Sequence, residues 1–129
     1  MNQRVLVIDD EPHVVQVMKT FLTRAGFTVD TAANGEEGLR LIRENHPDAV
    51  ITDYEMPRMD GRALIEAALE SNDGGPSLIV LLTSRTDTEL REWVNQVDRI
   101  GFVEKPASPR RLVRYIEDRL QVRELEAAS

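Results

Sequence analysis

Acidic, hydroxyl and ammonium side chains end or directly follow short apolar runs at several points of this 129-residue sequence. They are, in chain order, Asp9-Asp10-Glu11, Asp53, Thr83-Ser84 and Lys105. Carboxylates that are brought together repel one another and raise one another's pKa values. A hard divalent cation relieves that repulsion, and Mg²⁺ prefers oxygen ligands while keeping several waters. An aspartate that stays ionised beside such a cation can attack phosphorus, so this set of side chains predicts an aspartyl phosphate.

Each of these residues also has an interpretation that involves no function. An Asp-Asp pair at a strand end is often only a turn or a helix cap, and Thr83 or Lys105 alone says little. Their joint occurrence is the stronger signal, because phosphoryl transfer requires mainly positioning and charge neutralisation. We expect Asp53 to be the nucleophile, Lys105 to offset the charge on one phosphoryl oxygen, and the Thr83 hydroxyl to donate a hydrogen bond to another.

Apolar periodicity predicts the elements that position these residues. Five short strand patterns alternate with five helical patterns, which indicates an α/β fold with a parallel sheet covered by helices on both faces. Right-handed crossovers restrict it to a few doubly wound orders, in which ligands bind beyond the carboxyl ends of the strands. The capping-box pattern Thr86-x-x-Glu89 predicts the start of the fourth helix, and Ser108-Pro109 the start of the fifth. The predicted strands are Val5–Ile8, Thr28–Ala32, Ala49–Thr52, Leu78–Leu82 and Ile100–Val103.

Composition narrows the classes of function. The 16 Lys and Arg residues stand against 23 Asp and Glu, a net charge of −7, which argues against direct binding to nucleic acid or to an anionic membrane. Cysteine is absent, which excludes disulfides and thiol chemistry. No apolar stretch approaches the roughly 20 residues that span a bilayer, and the N-terminus does not resemble a signal peptide. The predicted location is therefore the cytoplasm.

Four segments of the sequence resemble the response regulator receiver family of two-component signalling. The resemblance extends from about Arg4 to Leu120, and it implies a receiver domain over residues 1–120. Residues 121–129 are then a C-terminal helix extension or the start of a linker. The segments are Val7-Ile8-Asp9-Asp10-Glu11-Pro12, Asp53-Tyr54-Glu55-Met56-Pro57-x-Met59-Asp60-Gly61, Thr83-Ser84 and Phe102-x-x-Lys105-Pro106.

The resemblance implies a flavodoxin-like strand order, 2-1-3-4-5, and a cis peptide bond before Pro106. It makes Asp53 the phosphoacceptor, and it implies that the phosphoryl group comes from a histidine kinase or a histidine phosphotransfer protein. It further implies that Mg²⁺ or Mn²⁺ is bound by Asp53, by Asp10 directly, by Asp9 through water, and by the backbone carbonyl of Glu55. Self-phosphorylation and self-dephosphorylation would be the limit of its enzymatic activity.

The family resemblance also implies a readout of phosphorylation. Thr83 would shift towards the phosphoryl group and Phe102 would turn inward, although Phe102 also fits a simple core residue. The output surface would be the fourth helix, fifth strand and fifth helix, which could engage a downstream protein, a fused output domain or a second copy of the chain. Ser84 stands at a phosphate-binding position where the family often has alanine. Glu55 and Arg85 occupy positions that tune dephosphorylation, and they could pair across the site.

Three other functions compete with this interpretation. A phosphatase with an aspartyl-phosphate intermediate usually has a second Asp two residues after its nucleophile, where this sequence has Glu55. A receiver-like binding module that is never phosphorylated would not need Asp9, Asp10, Asp53, Thr83 and Lys105 together. A nucleotide or flavin binder is disfavoured because no glycine-rich loop follows the first strand.

Overall fold

The computed structural model describes residues 3–70, 75–85 and 87–128, and within them five parallel strands form one sheet of order β2-β1-β3-β4-β5. The predicted doubly wound fold and strand order are therefore confirmed. The strands are β1 (Arg4–Ile8), β2 (Thr28–Ala32), β3 (Ala49–Asp53), β4 (Leu78–Thr83) and β5 (Ile100–Glu104). The helices are α1 (Pro12–Arg24), α2 (Gly35–Asn45), α3 (Gly61–Leu69), α4 (Thr88–Asn95) and α5 (Pro109–Ala128).

The central strands β1, β3 and β4 are largely apolar, because both faces of the sheet are covered by helices there, whereas the edge strand β2 contains Thr28, Asp30 and Thr31. All residues of β3 and β4 are buried. On one face, α1 and α5 pack through Met18, Leu22, Leu112, Ile116 and Leu120. On the other face α2, α3 and α4 pack through Ile42, Leu64, Ile65, Leu90 and Trp93, among others.

Side-chain caps begin three of the helices. The side-chain oxygen of Asn34 accepts the Glu37 N–H at the start of α2, and Asp60 accepts the Ala63 N–H at the start of α3. The predicted capping role of Thr86 lies outside the described residues. The N-cap of α4 is Asp87, which sequence pattern alone did not identify.

Strand register brings the candidate site residues to one edge of the sheet. Ile8 pairs with Thr52, Asp53 with Leu82 and Thr83 with Glu104, so neighbouring strands end at similar heights. Three strands extend one residue beyond their predicted ends, because their ladders continue through Asp53, Thr83 and Glu104. The candidate acceptor Asp53 and Thr83 are therefore the last residues of β3 and β4.

The fifth helix extends past the part of the chain that resembles the family. Leu120 is buried, whereas Val122 and Leu125 are exposed, and the helix continues to Ala128. The boundary of the domain near residue 120 stays a prediction. None of the described helices combines the length and the apolar character needed to cross a membrane.

The chain at Asp53 and Tyr54 packs tightly against the start of α3, and Gly61→Ala should destabilise the fold. An added Cβ would lie 2.9 Å from the Tyr54 Cα, 3.0 Å from the Asp53 carbonyl oxygen and 2.9 Å from Leu81 Cδ1. Two of these neighbours are backbone atoms that cannot turn aside. We expect a loss of about 1–3 kcal/mol in the free energy of unfolding, measured by urea denaturation.

Gly38→Ala is the matched control for that substitution. Its added Cβ would meet Ile8 Cδ1 at 2.5 Å, which is the far end of a flexible side chain. Alanine also favours a helix interior by about 1 kcal/mol over glycine, so the net loss should be smaller. Equal stability of Gly61→Ala and the unchanged protein would contradict the close approach at Gly61.

Candidate functional site

Three aspartates converge at the carboxyl edge of the sheet. One carboxylate oxygen from each of Asp9, Asp10 and Asp53 lies within 4.8 Å of the others. Asp9 and Asp53 are each 4% exposed, whereas Asp10 is open to solvent. The prediction that these three acids meet is confirmed by this geometry.

Burial makes the charge on Asp9 unfavourable. Asp9 Oδ1 accepts the Glu11 N–H at 2.9 Å. Burial raises the pKa of Asp9 above its usual value, the Glu11 N–H lowers it in part, and the negative charge of Asp53 raises it further. Three converging carboxylates form an oxygen-only donor set that suits a hard divalent cation, so the residues present fit Mg²⁺ or Mn²⁺.

Lys105 supplies a positive charge to the same cluster. Its Nζ lies 2.8 Å from Asp53 Oδ1, and the Lys105-Pro106 peptide is cis as the resemblance implied. Burial works to lower the pKa of Lys105, but the hydrogen bond from its ammonium to Asp53 and the nearby charges of Asp53, Asp9 and Glu11 raise it above its ordinary value. The charged form of Lys105 is therefore favoured beside the candidate acceptor Asp53.

Asp53 has a second contact from the loop that follows it. The Glu55 N–H donates to Asp53 Oδ1 at 3.4 Å, so this N–H and the Lys105 ammonium meet the same oxygen. Two donors on one oxygen restrict the rotation of the carboxylate. The Glu55 side chain is exposed, and a ligand role for its backbone carbonyl stays a prediction.

Thr83 and Ser84 lie at the carboxyl end of β4, the strand next to the one that ends in Asp53. Thr83 is 1% exposed, and its Oγ1 accepts the Arg85 N–H at 2.9 Å. Ser84 is exposed and lines a cavity of about 500 Å³ together with Asp9 and Lys105. The cavity also has an apolar wall from Val14, Met18, Leu82, Pro106 and Ala107.

Phe102 occupies an intermediate position between core and surface. It lies on β5 opposite Leu81, packs against the cluster that includes Trp93, and has the Arg91 guanidinium 5.2 Å from its ring centroid. A half-buried aromatic ring at this place fits both of the interpretations drawn from the sequence.

The suggested pairing of Arg85 with Glu55 is not the arrangement that the structure shows. The Arg85 guanidinium instead pairs with Asp87 at 2.7 Å and donates to the Tyr54 hydroxyl at 2.9 Å. Asp87 is the N-cap of α4, two residues after Arg85, and this role holds its carboxylate close to the guanidinium. Sequence reasoning missed Tyr54 and Asp87, although a tyrosine directly after the candidate acceptor was a visible signal.

Fold and site together define a flavodoxin-like α/β domain with an acidic pocket at the carboxyl edge of its sheet. The profile of the response regulator receiver domain matches residues 5–117. The chain therefore belongs to the response regulator receiver family, a family of signalling domains within two-component systems.

Several known proteins are similar to this chain. It is 34% identical over 128 residues to the DNA-binding response regulator MtrA of Mycolicibacterium smegmatis, covering 99% of this chain and 55% of that protein. It is 34% identical over 111 residues to the probable transcriptional regulator ycf27 of Guillardia theta, covering 86% of this chain and 42% of that protein. The chain thus spans about half the length of the curated relatives it matches.

Solved structures give the same result for the fold. A CheY-like receiver domain protein of Methanospirillum hungatei superimposes with a TM-score of 0.88 at 26% identity, covering 98% of this chain and 99% of that one. The chemotaxis protein CheY4 of Vibrio cholerae superimposes with a TM-score of 0.83 at 29% identity, covering 92% and 98% respectively.

Proposed function

We propose that this receiver domain accepts one phosphoryl group on Asp53 from a histidine kinase or a histidine phosphotransfer protein. The observation that carries the proposal is the meeting of the Asp9, Asp10 and Asp53 carboxylates with the Lys105 ammonium, where Asp53 is buried at the end of β3. Burial and the negative charge of Asp53 raise the pKa of Asp9, and carboxyl groups perturbed in this way cluster at functional sites.

The reaction is a phosphoryl transfer between two side chains. A carboxylate oxygen of Asp53 attacks phosphorus, the bond from phosphorus to the donor's imidazole nitrogen breaks, and the imidazole keeps that electron pair. A divalent cation held by Asp10, Asp53, the Glu55 carbonyl and, through water, Asp9 would neutralise charge on the transferring group.

The protein's own residues perform the remaining tasks. Lys105 is already within hydrogen-bond distance of Asp53 and supplies its ammonium to a phosphoryl oxygen. Thr83 and Ser84 provide hydroxyl groups on the neighbouring strand end. Asp53 and Thr83 are the last residues of β3 and β4, and Ser84 and Lys105 directly follow β4 and β5, so the sheet brings these groups together before the donor arrives.

The proposed readout uses Thr83, Phe102 and the surface formed by α4, β5 and α5. Phosphorylation biases an equilibrium between two conformations, and this surface then engages a downstream protein, a fused output domain or a second copy of the chain. Because MtrA is named as DNA-binding and ycf27 as a transcriptional regulator, we include transcriptional control by a fused domain. The receiver itself, residues 1–120, carries no proposed contact with nucleic acid or membrane, and we propose a cytoplasmic location.

Exposure to acetyl phosphate with Mg²⁺ tests this function directly. Intact mass spectrometry should detect one added phosphoryl group per chain, and p-nitrophenyl phosphate should not be turned over. Omission of Mg²⁺ should suppress the adduct. Steady turnover of the ester would favour a phosphatase, and the absence of any adduct would favour a receiver-like module that is never phosphorylated.

A further inference from the structure

One arginine joins three parts of the molecule around Thr83. The Arg85 backbone N–H donates to Thr83 Oγ1 at 2.9 Å, and its guanidinium Nη1 donates to the Tyr54 hydroxyl at 2.9 Å. The guanidinium also lies over the Tyr54 ring, 4.9 Å from the centroid. On its other side, Nε and Nη2 lie 2.8 and 2.7 Å from Asp87 Oδ2.

Each partner of Arg85 belongs to a different functional part of the fold. Tyr54 directly follows the proposed acceptor, and Asp87 is the N-cap of α4. Asp87 uses one oxygen, Oδ1, for the Leu90 N–H at 2.9 Å and the other, Oδ2, for Arg85. A displacement of the guanidinium therefore acts on the same carboxylate that holds the first turn of α4.

We infer that Arg85 is a positioning residue that holds Thr83 in its unphosphorylated place and couples movement of Thr83 to the start of α4. This inference rests on the proposed function. If Thr83 Oγ1 moves towards a phosphoryl group on Asp53, it either leaves the Arg85 N–H or takes Arg85 with it. Because the guanidinium is held between Tyr54 and Asp87, movement of Arg85 together with Thr83 strains those contacts. The strain acts on Asp87, the N-cap of α4.

The strength of this coupling is modest, which suits a reversible switch. The Arg85 and Asp87 side chains are each 41% exposed, so water and salt screen their attraction. Contacts of this kind add little to the stability of the whole fold. They are sufficient to bias two conformations that differ only slightly in free energy.

Beryllofluoride, a non-covalent mimic of a phosphoryl group, provides the test. Trp93 is the only tryptophan of the chain and lies buried on α4, so its fluorescence reports on that helix. Titration in the presence of Mg²⁺ should show tighter binding to Arg85→Ala, by about three- to tenfold, because contacts that favour the unliganded conformation are lost. Asp87→Asn keeps a capping side chain and should shift the midpoint less, in the same direction.

Further variants separate coupling from a general loss of packing. Tyr54→Phe keeps the ring but removes the hydroxyl, so it should tighten binding in the unchanged chain and have no further effect in Arg85→Ala. Arg40→Ala is the matched control, since Arg40 Nη1 pairs with Glu44 Oε2 at 2.8 Å on α2, outside the surface formed by α4, β5 and α5. Its titration midpoint should match that of the unchanged protein.

The outcomes distinguish a failure of the proposed function from a failure of the inference about Arg85. If the unchanged protein binds no beryllofluoride, the proposed function fails. If it binds and Arg85→Ala and Asp87→Asn share its midpoint, the inference about Arg85 is overturned while the proposed function stands. Weaker binding by Arg85→Ala would also overturn it, because Arg85 would then support the phosphorylated conformation.

Discussion

Asp53→Asn should take up no phosphoryl group from acetyl phosphate under conditions in which the unchanged protein becomes singly phosphorylated. An amide cannot form the acyl phosphate, whereas its size and shape match the carboxylate. We expect the rate of adduct formation to fall at least about 100-fold, equivalent to about 2.7 kcal/mol in the barrier. Intact mass spectrometry over a time course measures this loss.

The fold of Asp53→Asn should survive, because two effects on stability oppose each other. Removal of the charge relieves repulsion with Asp9, but it leaves the Lys105 ammonium without its carboxylate partner at 2.8 Å. Circular dichroism and thermal unfolding would show whether lost uptake reflects lost structure.

Asp60→Asn is the matched control for this experiment. Asp60 caps α3 at the end of the loop that follows Asp53, with Oδ1 accepting the Ala63 N–H at 2.9 Å, and asparagine caps a helix about as well. It should be phosphorylated at the normal rate. An adduct that persists in Asp53→Asn would place the acceptor elsewhere.

Asp10→Asn should have the second large effect, on the affinity for Mg²⁺. It removes one of the three converging negative charges while leaving the buried Asp9 and Asp53 in place. Changes even to groups that only support metal ligands cost about 10- to 100-fold in affinity, so a direct ligand should cost at least as much. Phosphorylation should slow at low Mg²⁺ and recover as Mg²⁺ is raised.

Thermal or urea unfolding with Mg²⁺ gives a second measure of the same change. At a concentration about 100 times the dissociation constant, binding stabilises the fold by about 2.7 kcal/mol. A 100-fold weaker site at that concentration stabilises it by only about 0.4 kcal/mol. Asp60→Asn again serves as the control, since it removes one exposed negative charge outside the group of three. An unaltered Mg²⁺ dependence in Asp10→Asn would exclude it as a ligand.

Most of the fold followed from the sequence because its signals are local. Continuous apolar runs such as the one ending at Leu82 mark strands that are covered on both faces, and spacings of three and four mark the helices between them. Parallel strands with these connections must bring their carboxyl ends to one edge. The meeting of Asp53 with Lys105 could therefore be predicted, although 52 positions separate them in the chain.

The sequence left open which side chains are buried at the site, because burial depends on how residues from different strands pack. Asp9 and Asp10 look alike in the sequence, but Asp9 is buried and its N–H continues the ladder to the Ala32 carbonyl, whereas Asp10 faces solvent. Burial raises the pKa of Asp9. Only the three-dimensional packing of the strand ends determines it.

What the sequence by itself determined is the order of elements, the edge at which the charged residues gather and the family to which the chain belongs. What only the tertiary structure decided is the partner of each charge: Lys105 with Asp53 Oδ1, and Arg85 with Asp87 and Tyr54 rather than Glu55. The physical reason is that periodicity specifies backbone elements over a few residues. A hydrogen bond or ion pair depends on distances of a few ångströms, which are fixed only when several elements pack together.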